Sequence, residues 1–170
     1  MLAWRLAAIT FLFRWIFRDP KVDMRFLASG AVLPDLIDLM AVSVMGGMSG
    51  ELWAHSLLAP MILAVAVLTT TRRGRRRRAW MALVVAWLFH ILLDGLWTDA
   101  TVFLWPAFGW RLDVGGAAFW PAAWSRALSD PLRWVLEAAG VGYLVWLWVK
   151  SGLSMAANRA TLLGSGRLSA

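Results

Sequence analysis

A chain of 170 residues has room for one domain of ordinary size, and 61% of this one is hydrophobic while only 16% is charged. Soluble domains are nearer half apolar and a quarter charged, so this balance and a mean hydropathy of +0.65 point to a membrane protein. The net charge is +7 and there is no cysteine, which excludes disulfides and thiolate metal sites and leaves His, Asp, Glu and backbone oxygen as the available ligands.

A spanning helix needs about 20 mostly apolar residues, and five candidates follow in order. The first covers residues 2–17; Arg5 and Arg14 interrupt it and no small-x-small cleavage site follows, so it reads as a retained helix rather than a signal peptide. The second covers 26–46, ending before GGMSG, the third 52–71, the fourth 79–97 and the fifth 132–149. Residues 1–150 are therefore expected to form an all-α, polytopic transmembrane bundle of about four to five helices, with 151–170 as a flexible polar tail.

The basic residues group by loop. Arg18, Lys21 and Arg25 fall between the first two helices, six arginines crowd into RRGRRRR at 72–78, and Lys150, Arg159 and Arg167 mark the end. If five helices span, all three groups share one side, which places the carboxyl terminus in the cytoplasm. The arginine run then reads as a topogenic loop held by anionic lipid, and no nucleic-acid partner is expected. The opposite side receives 98–131, rich in Trp105, Trp110, Trp120 and Trp124, with Trp97 and Trp134 at its edges. Indole rings favour the headgroup level, so this segment is predicted to lie along the interface or dip back into the bundle.

Few ionisable residues interrupt the apolar runs: Arg5 and Arg14, Asp35 and Asp38, His55, His90 and Asp94, and Glu137. An Asp at the membrane centre costs about 2.5–3.5 kcal/mol, and three uncompensated ones about 8–10 kcal/mol. That rivals the whole stability of a domain, about 5–15 kcal/mol, so a metal, cationic partners or a water-filled cavity must offset them. Asp35 and Asp38 are spaced i, i+3 and His90 and Asp94 i, i+4, so each pair shares a helical face. In a five-span arrangement these groups and His55 fall in the outer half of the bundle, with Glu137 at a similar level. Two imidazoles and three carboxylates suit zinc first, or Mn or Fe. The same residues also admit a buried ion bridge between Asp35 or Asp38 and Arg5 or Arg14, a hydrogen-bonded core histidine at His90, a helix-start role for His55, or a proton or ion pathway.

Three segments in order, GAVLPDLIDL at 30–39, HS at 55–56 and HILLDGLWTDATVFLWPAFGW at 90–110, resemble a bacterial family of membrane-bound, metal-dependent hydrolases of the inner membrane, some under SOS (LexA) control. More remotely the pattern is similar to zinc-dependent phospholipase C and P1-type nucleases. The resemblance covers roughly residues 1–110. It implies Asp35, His55, His90 and Asp94 as ligands of a divalent metal, Asp38 as a further ligand or an orienting group, and Thr98 and Asp99 as supporting groups. It also implies location in the inner membrane; the metal chemistry, not the resemblance, suggests an ester or phosphodiester as substrate, expected in a lipid or lipid-linked molecule. A hydroxide formed on the metal would attack, Asp38 or Glu137 would take its proton, and Arg5 would bind negative charge. Members of the family often carry a histidine in the first helix; this chain has Arg5 there, which stays protonated and cannot ligate but can pair with a carboxylate or clamp a phosphate. The alternatives are a non-enzymatic membrane protein, either an ion- or proton-coupled carrier or a partner-binding protein with a degenerate site.

Overall fold

The computed structural model describes residues 2–19, 21–45, 53–110, 125 and 128–168. Among them there are seven α-helices, two short 3₁₀ turns and no strand. The helices are α1 (Leu2–Phe17), α2 (Met24–Met45), α3 (Leu58–Thr70), α4 (Arg75–Leu93), α5 (Ala100–Phe103), α6 (Pro131–Lys150) and α7 (Ala156–Ser165). The 3₁₀ turns are Trp53–His55, just before α3, and Leu96–Thr98, just after α4.

Local chemistry sets the boundaries. Arg18 takes a left-handed φ of 48° where α1 stops. Asp23 starts α2, its carboxylate accepting from the Arg25 backbone N–H at 3.1 Å. Asp130 does the same for α6, accepting from the Leu132 N–H at 3.0 Å, with Pro131 as the first helical residue. Gly95, left-handed at φ 73°, follows the end of α4. The helix expected at 79–97 thus begins earlier and ends earlier. Arg75 to Arg78 form its first turn because arginine is a good helix former, and Asp94 becomes its C-cap.

The α2 helix packs most extensively on α4, and α1 lies against both α2 and α6. Small residues bring α2 and α4 together: Ala31, Ala82 and Ala86 are buried with Ile9, Phe13 and Leu27. At Gly30 the approach is closest, since a Cβ there would stand 2.2 Å from the Leu83 carbonyl oxygen and 2.9 Å from the Ala86 Cβ. Gly30→Ala must therefore push the two helices apart. It is expected to cost about 1–3 kcal/mol, the usual penalty of overpacking, seen as a lowered melting temperature of the detergent-solubilised protein. A second apolar cluster joins Ala54, Leu83, Trp87, Ile91, Leu96 and Val102.

Val102 and Leu96 show that the tryptophan-rich segment turns back onto the bundle at its start, where Leu57 N–H also donates to the Phe103 carbonyl at 2.9 Å. Trp105 packs on this core, whereas Trp97 and Trp110 are exposed. Arg111, Asp113, Trp120, Trp124 and Arg126 lie outside the described residues.

The carboxyl-terminal segment, expected as a loose tail, carries α7. Its end is held by the basic residues near the starts of α2 and α4: Arg25 donates to the Leu163 carbonyl at 2.6 Å and Arg75 to that of Ser165 at 3.0 Å. Gly166 accepts from the Met24 N–H at 2.7 Å. Cations at a helix carboxyl terminus satisfy its free carbonyls, a pairing that polarity alone does not reveal in sequence. The Arg25 guanidinium also hydrogen-bonds Asp23 and holds its carboxyl below the ordinary aspartate range.

Large apolar side chains stand on the outside. Met61, Ile62, Val65 and Leu68 form an exposed face of α3, and Val135, Val141, Val145 and Trp146 an exposed face of α6. Among the described residues α6 alone is long and apolar enough to cross a membrane by itself. The span expected at 52–71 is only 13 residues of α-helix, about 20 Å of rise against an apolar thickness of about 30 Å. The chain around His55 is drawn into the 3₁₀ turn by the site below.

Candidate metal centre

Three segments and the start of α1 meet beside the α2–α4 contact. Asp35 and Asp38 project from α2, His55 closes the 3₁₀ turn, and His90 and Asp94 stand in the last turn and C-cap of α4. One ligand atom from each of Asp35, His55, His90 and Asp94 lies within 4.8 Å of the other three. His90 Nε2 is 3.1 Å from Asp94 Oδ2 and 3.5 Å from Asp35 Oδ1. His55 Nε2 is 3.4 Å from Asp35 Oδ1 and 3.8 Å from Asp94 Oδ2. A tetrahedral ion with bonds of about 2.0–2.1 Å separates its ligands by about 3.3 Å, so small side-chain adjustments suffice to close on one.

The histidine tautomers follow from their outer partners. His90 Nδ1 lies 2.6 Å from the Ala31 carbonyl oxygen, which can only accept, so Nδ1 carries the proton. His55 Nδ1 lies 2.6 Å from Asp38 Oδ2, and donation to that carboxylate fixes the same tautomer. Each Nε2 faces carboxylate oxygens, so either a second ring proton or a cation must stand between them. His90 Nε2 and Asp94 Oδ2 are buried and neither has a hydrogen-bond partner despite their proximity. A cation between them would satisfy both. Charge supports it as well: Asp35, Asp38 and Asp94 against Arg5 leave a balance of −2 with neutral imidazoles, which one divalent ion cancels.

Supporting contacts hold the donors in place. Pro34 cannot donate to the Gly30 carbonyl in the α2 ladder, and the next carbonyl along, that of Ala31, accepts from His90. Asp38 accepts from the Ala54 N–H at 3.1 Å with its second oxygen, and the Trp87 indole donates to the Ala54 carbonyl at 2.7 Å. Ser56 donates to the Trp53 carbonyl at 2.7 Å and secures the turn. Arg5 divides its fork, Nη1 donating to Asp35 Oδ2 at 2.6 Å and Nη2 lying 2.8 Å from Asp94 Oδ1. It thereby turns the other oxygen of each carboxylate toward the histidines. His90 is fully buried, His55 and Asp94 nearly so, and the Asp35 side chain is 44% exposed, so the cluster opens on that side.

The residues singled out in sequence thus separate into two groups. Asp35, His55, His90 and Asp94 converge, with Asp38 and Arg5 bound behind them. Glu137 stands elsewhere: its two oxygens accept from the Ala3 and Trp4 backbone N–H groups, each at 3.0 Å, and so cap α1. Asp99 caps α5, accepting from the Thr101 N–H at 3.0 Å, and Thr98 donates to the Gly95 carbonyl at 2.7 Å. Trp87 and the Ala31 carbonyl were not singled out. No residue-type signal marks a backbone acceptor, though an indole three residues before His90 on the same helix hints at one buried face. Asp38→Asn keeps the shape but removes the anionic partner of His55; the affinity of the cluster for any divalent metal it holds is expected to fall about 10–100-fold, as read by competition with a chromophoric chelator.

The family model described as YdjM inner membrane protein matches residues 1–161. No curated protein and no solved structure matches the chain. The chain belongs to the YdjM inner membrane protein family.

Proposed function

We propose, with membership of an inner-membrane family as the starting point, that this chain is a multi-pass inner-membrane hydrolase. In this reading its cluster holds one divalent metal, zinc in the first instance, and it cleaves an ester or phosphodiester of a lipid or lipid-linked molecule. The observation that carries the reading is the pair of buried, unpartnered atoms His90 Nε2 and Asp94 Oδ2, which converge with Asp35 and His55. The exposed apolar faces of α3 and α6 support contact with lipid, and the basic starts of α2 and α4 support a cytoplasmic carboxyl terminus.

Asp35, His55, His90 and Asp94 are the residues that would hold the ion. A divalent metal supplies Lewis acidity there and makes water a usable nucleophile at neutral pH. Asp38 fixes the His55 tautomer, and Arg5 keeps Asp35 and Asp94 turned inward. Substrate enters past Asp35, the exposed member, while His90 and Asp94 close the rear of the site. The family resemblance to membrane-bound metal-dependent hydrolases supplies the reaction class.

Elemental analysis of purified full-length protein tests the reading. Wild type is expected to carry about one zinc per chain, and the double variant Asp35→Ala, His90→Ala none. If neither contains stoichiometric metal, the hydrolase reading fails, and the same carboxylates and imidazoles stand as the relay of a proton-coupled carrier.

A further inference from the structure

Between α1 and α6 lies a cavity of about 430 Å³, within the about 300–1,000 Å³ range of small-molecule pockets. Trp4, Ala7, Ala8, Phe11 and Leu12 line it from α1, a single face at i, i+3, i+4, i+7 and i+8. Ala139, Gly140 and Tyr143 line it from α6, and Leu93 closes it from the end of α4. None of these side chains carries a charge at neutral pH. From Trp4 to Leu12 the α1 wall rises about 12 Å. The Phe11 and Tyr143 rings meet edge-on at 5.9 Å, and Phe11 is half exposed, so the slot communicates with the outer apolar surface.

Its position matters as much as its lining. Trp4 and Leu93 are the chain neighbours of Arg5 and Asp94, the two groups joined in the ion bridge. An apolar slot therefore abuts a polar, charge-dense centre. That juxtaposition fits one amphiphile lying across both, its hydrocarbon part in the slot and its polar linkage at the cluster. Helices able to contact lipid surround the slot, and the bilayer is a reservoir of such molecules.

We propose that the α1–α6 slot binds one acyl chain of a membrane glycerophospholipid and so sets the substrate class of the centre beside it. This rests on the hydrolase reading for the word substrate, but the binding itself does not require a metal. The two walls meet at Gly140, where a Cβ would lie 2.6 Å from the Trp4 backbone. Ala8 and Ala139, with single methyl groups on opposite walls, keep the slot open.

The test maps contacts directly. Full-length protein is reconstituted into vesicles of phosphatidylethanolamine and phosphatidylglycerol. These are doped with a phosphatidylglycerol that carries a diazirine midway along one acyl chain, then illuminated, digested and analysed by mass spectrometry. Adducts are expected to concentrate on residues 4–12 and 139–143 over the exposed α3 face of Met61, Val65 and Leu68. Ala139→Phe, which fills the slot from an exposed position, is expected to lower them about tenfold, equal to about 1.4 kcal/mol, with zinc content unchanged. Adducts spread evenly over α1, α3 and α6 in wild type overturn the proposal, as do adducts that survive Ala139→Phe in full. The Asp35→Ala, His90→Ala variant separates the two readings. Adducts retained in the slot there support lipid binding whatever the metal content proves to be, and their loss from that variant while it remains folded overturns it.

Discussion

If the cluster holds a divalent metal as proposed, stripping it from the wild-type protein with a chelator is expected to lower the melting temperature by about 8–16 °C, and added zinc to restore it. The size follows from linkage: an ion present at a thousandfold above its dissociation constant stabilises the folded state by about 4.1 kcal/mol, and each kcal/mol moves the midpoint of a chain this long by about 2–4 °C. The structural cause is the approach of His90 Nε2 to Asp94 Oδ2 at 3.1 Å in a buried place, with no hydrogen-bond partner for either. Without a metal a proton must bridge that gap, and the three aspartates against Arg5 carry a balance of −2 while both imidazoles are neutral. Tryptophan fluorescence follows the transition. The Asp35→Ala, His90→Ala variant is expected to show no response to chelator or zinc, since half the donors are gone. A wild-type midpoint indifferent to both would remove the cation from the account.

Arg5→Ala gives the second large effect. Among the described residues, Arg5 is the one cation whose fork reaches two carboxylates of the cluster, from α2 and α4, at 2.6 and 2.8 Å. Truncating one partner of a buried charge pair costs about 3–5 kcal/mol, and the lower end applies because Asp35 is partly exposed. A midpoint lower by about 6–12 °C is the expected outcome under metal-free conditions. Arg5→Lys recovers only part of it: an ammonium is a point charge that cannot hold two carboxylates in a fixed plane. Full recovery by lysine would mean that Arg5 acts through charge alone.

The cluster was legible because charge inside an apolar chain is costly and therefore purposeful. Asp35 with Asp38, and His90 with Asp94, declared their shared faces by spacing alone. Arg5 was readable as a partner for a carboxylate, but its bridging of two required coordinates, because a guanidinium on α1 has no sequence relation to α4. Glu137 misled for a physical reason. A carboxylate in the first turns of an apolar helix looks expensive, yet here the two free N–H groups at the start of α1 satisfy it, a contact between residues more than 130 positions apart. The third helix was read too long because its apolar run continues through Leu57 into the turn, where Asp38 and Trp87 fix residues 54 and 55 in a non-α-helical path. The end of α4 was read too late, at residue 97, past the left-handed Gly95, and the helical character of 156–165 was hidden by small and polar residues whose order comes from arginines far away in the chain.

Gly140 and Glu137 have a mechanical consequence. Together they make α6 grip the first turn of α1, by close backbone approach at one position and by two hydrogen bonds at the other. Arg5 sits in that turn, so the orientation of α6 is geared to the guanidinium and, through it, to the spacing of Asp35 and Asp94. A helix tilts to match the thickness of the lipid sheet around it. Stretching or thinning that sheet would then be transmitted along a short rigid linkage into the jaws of the cluster.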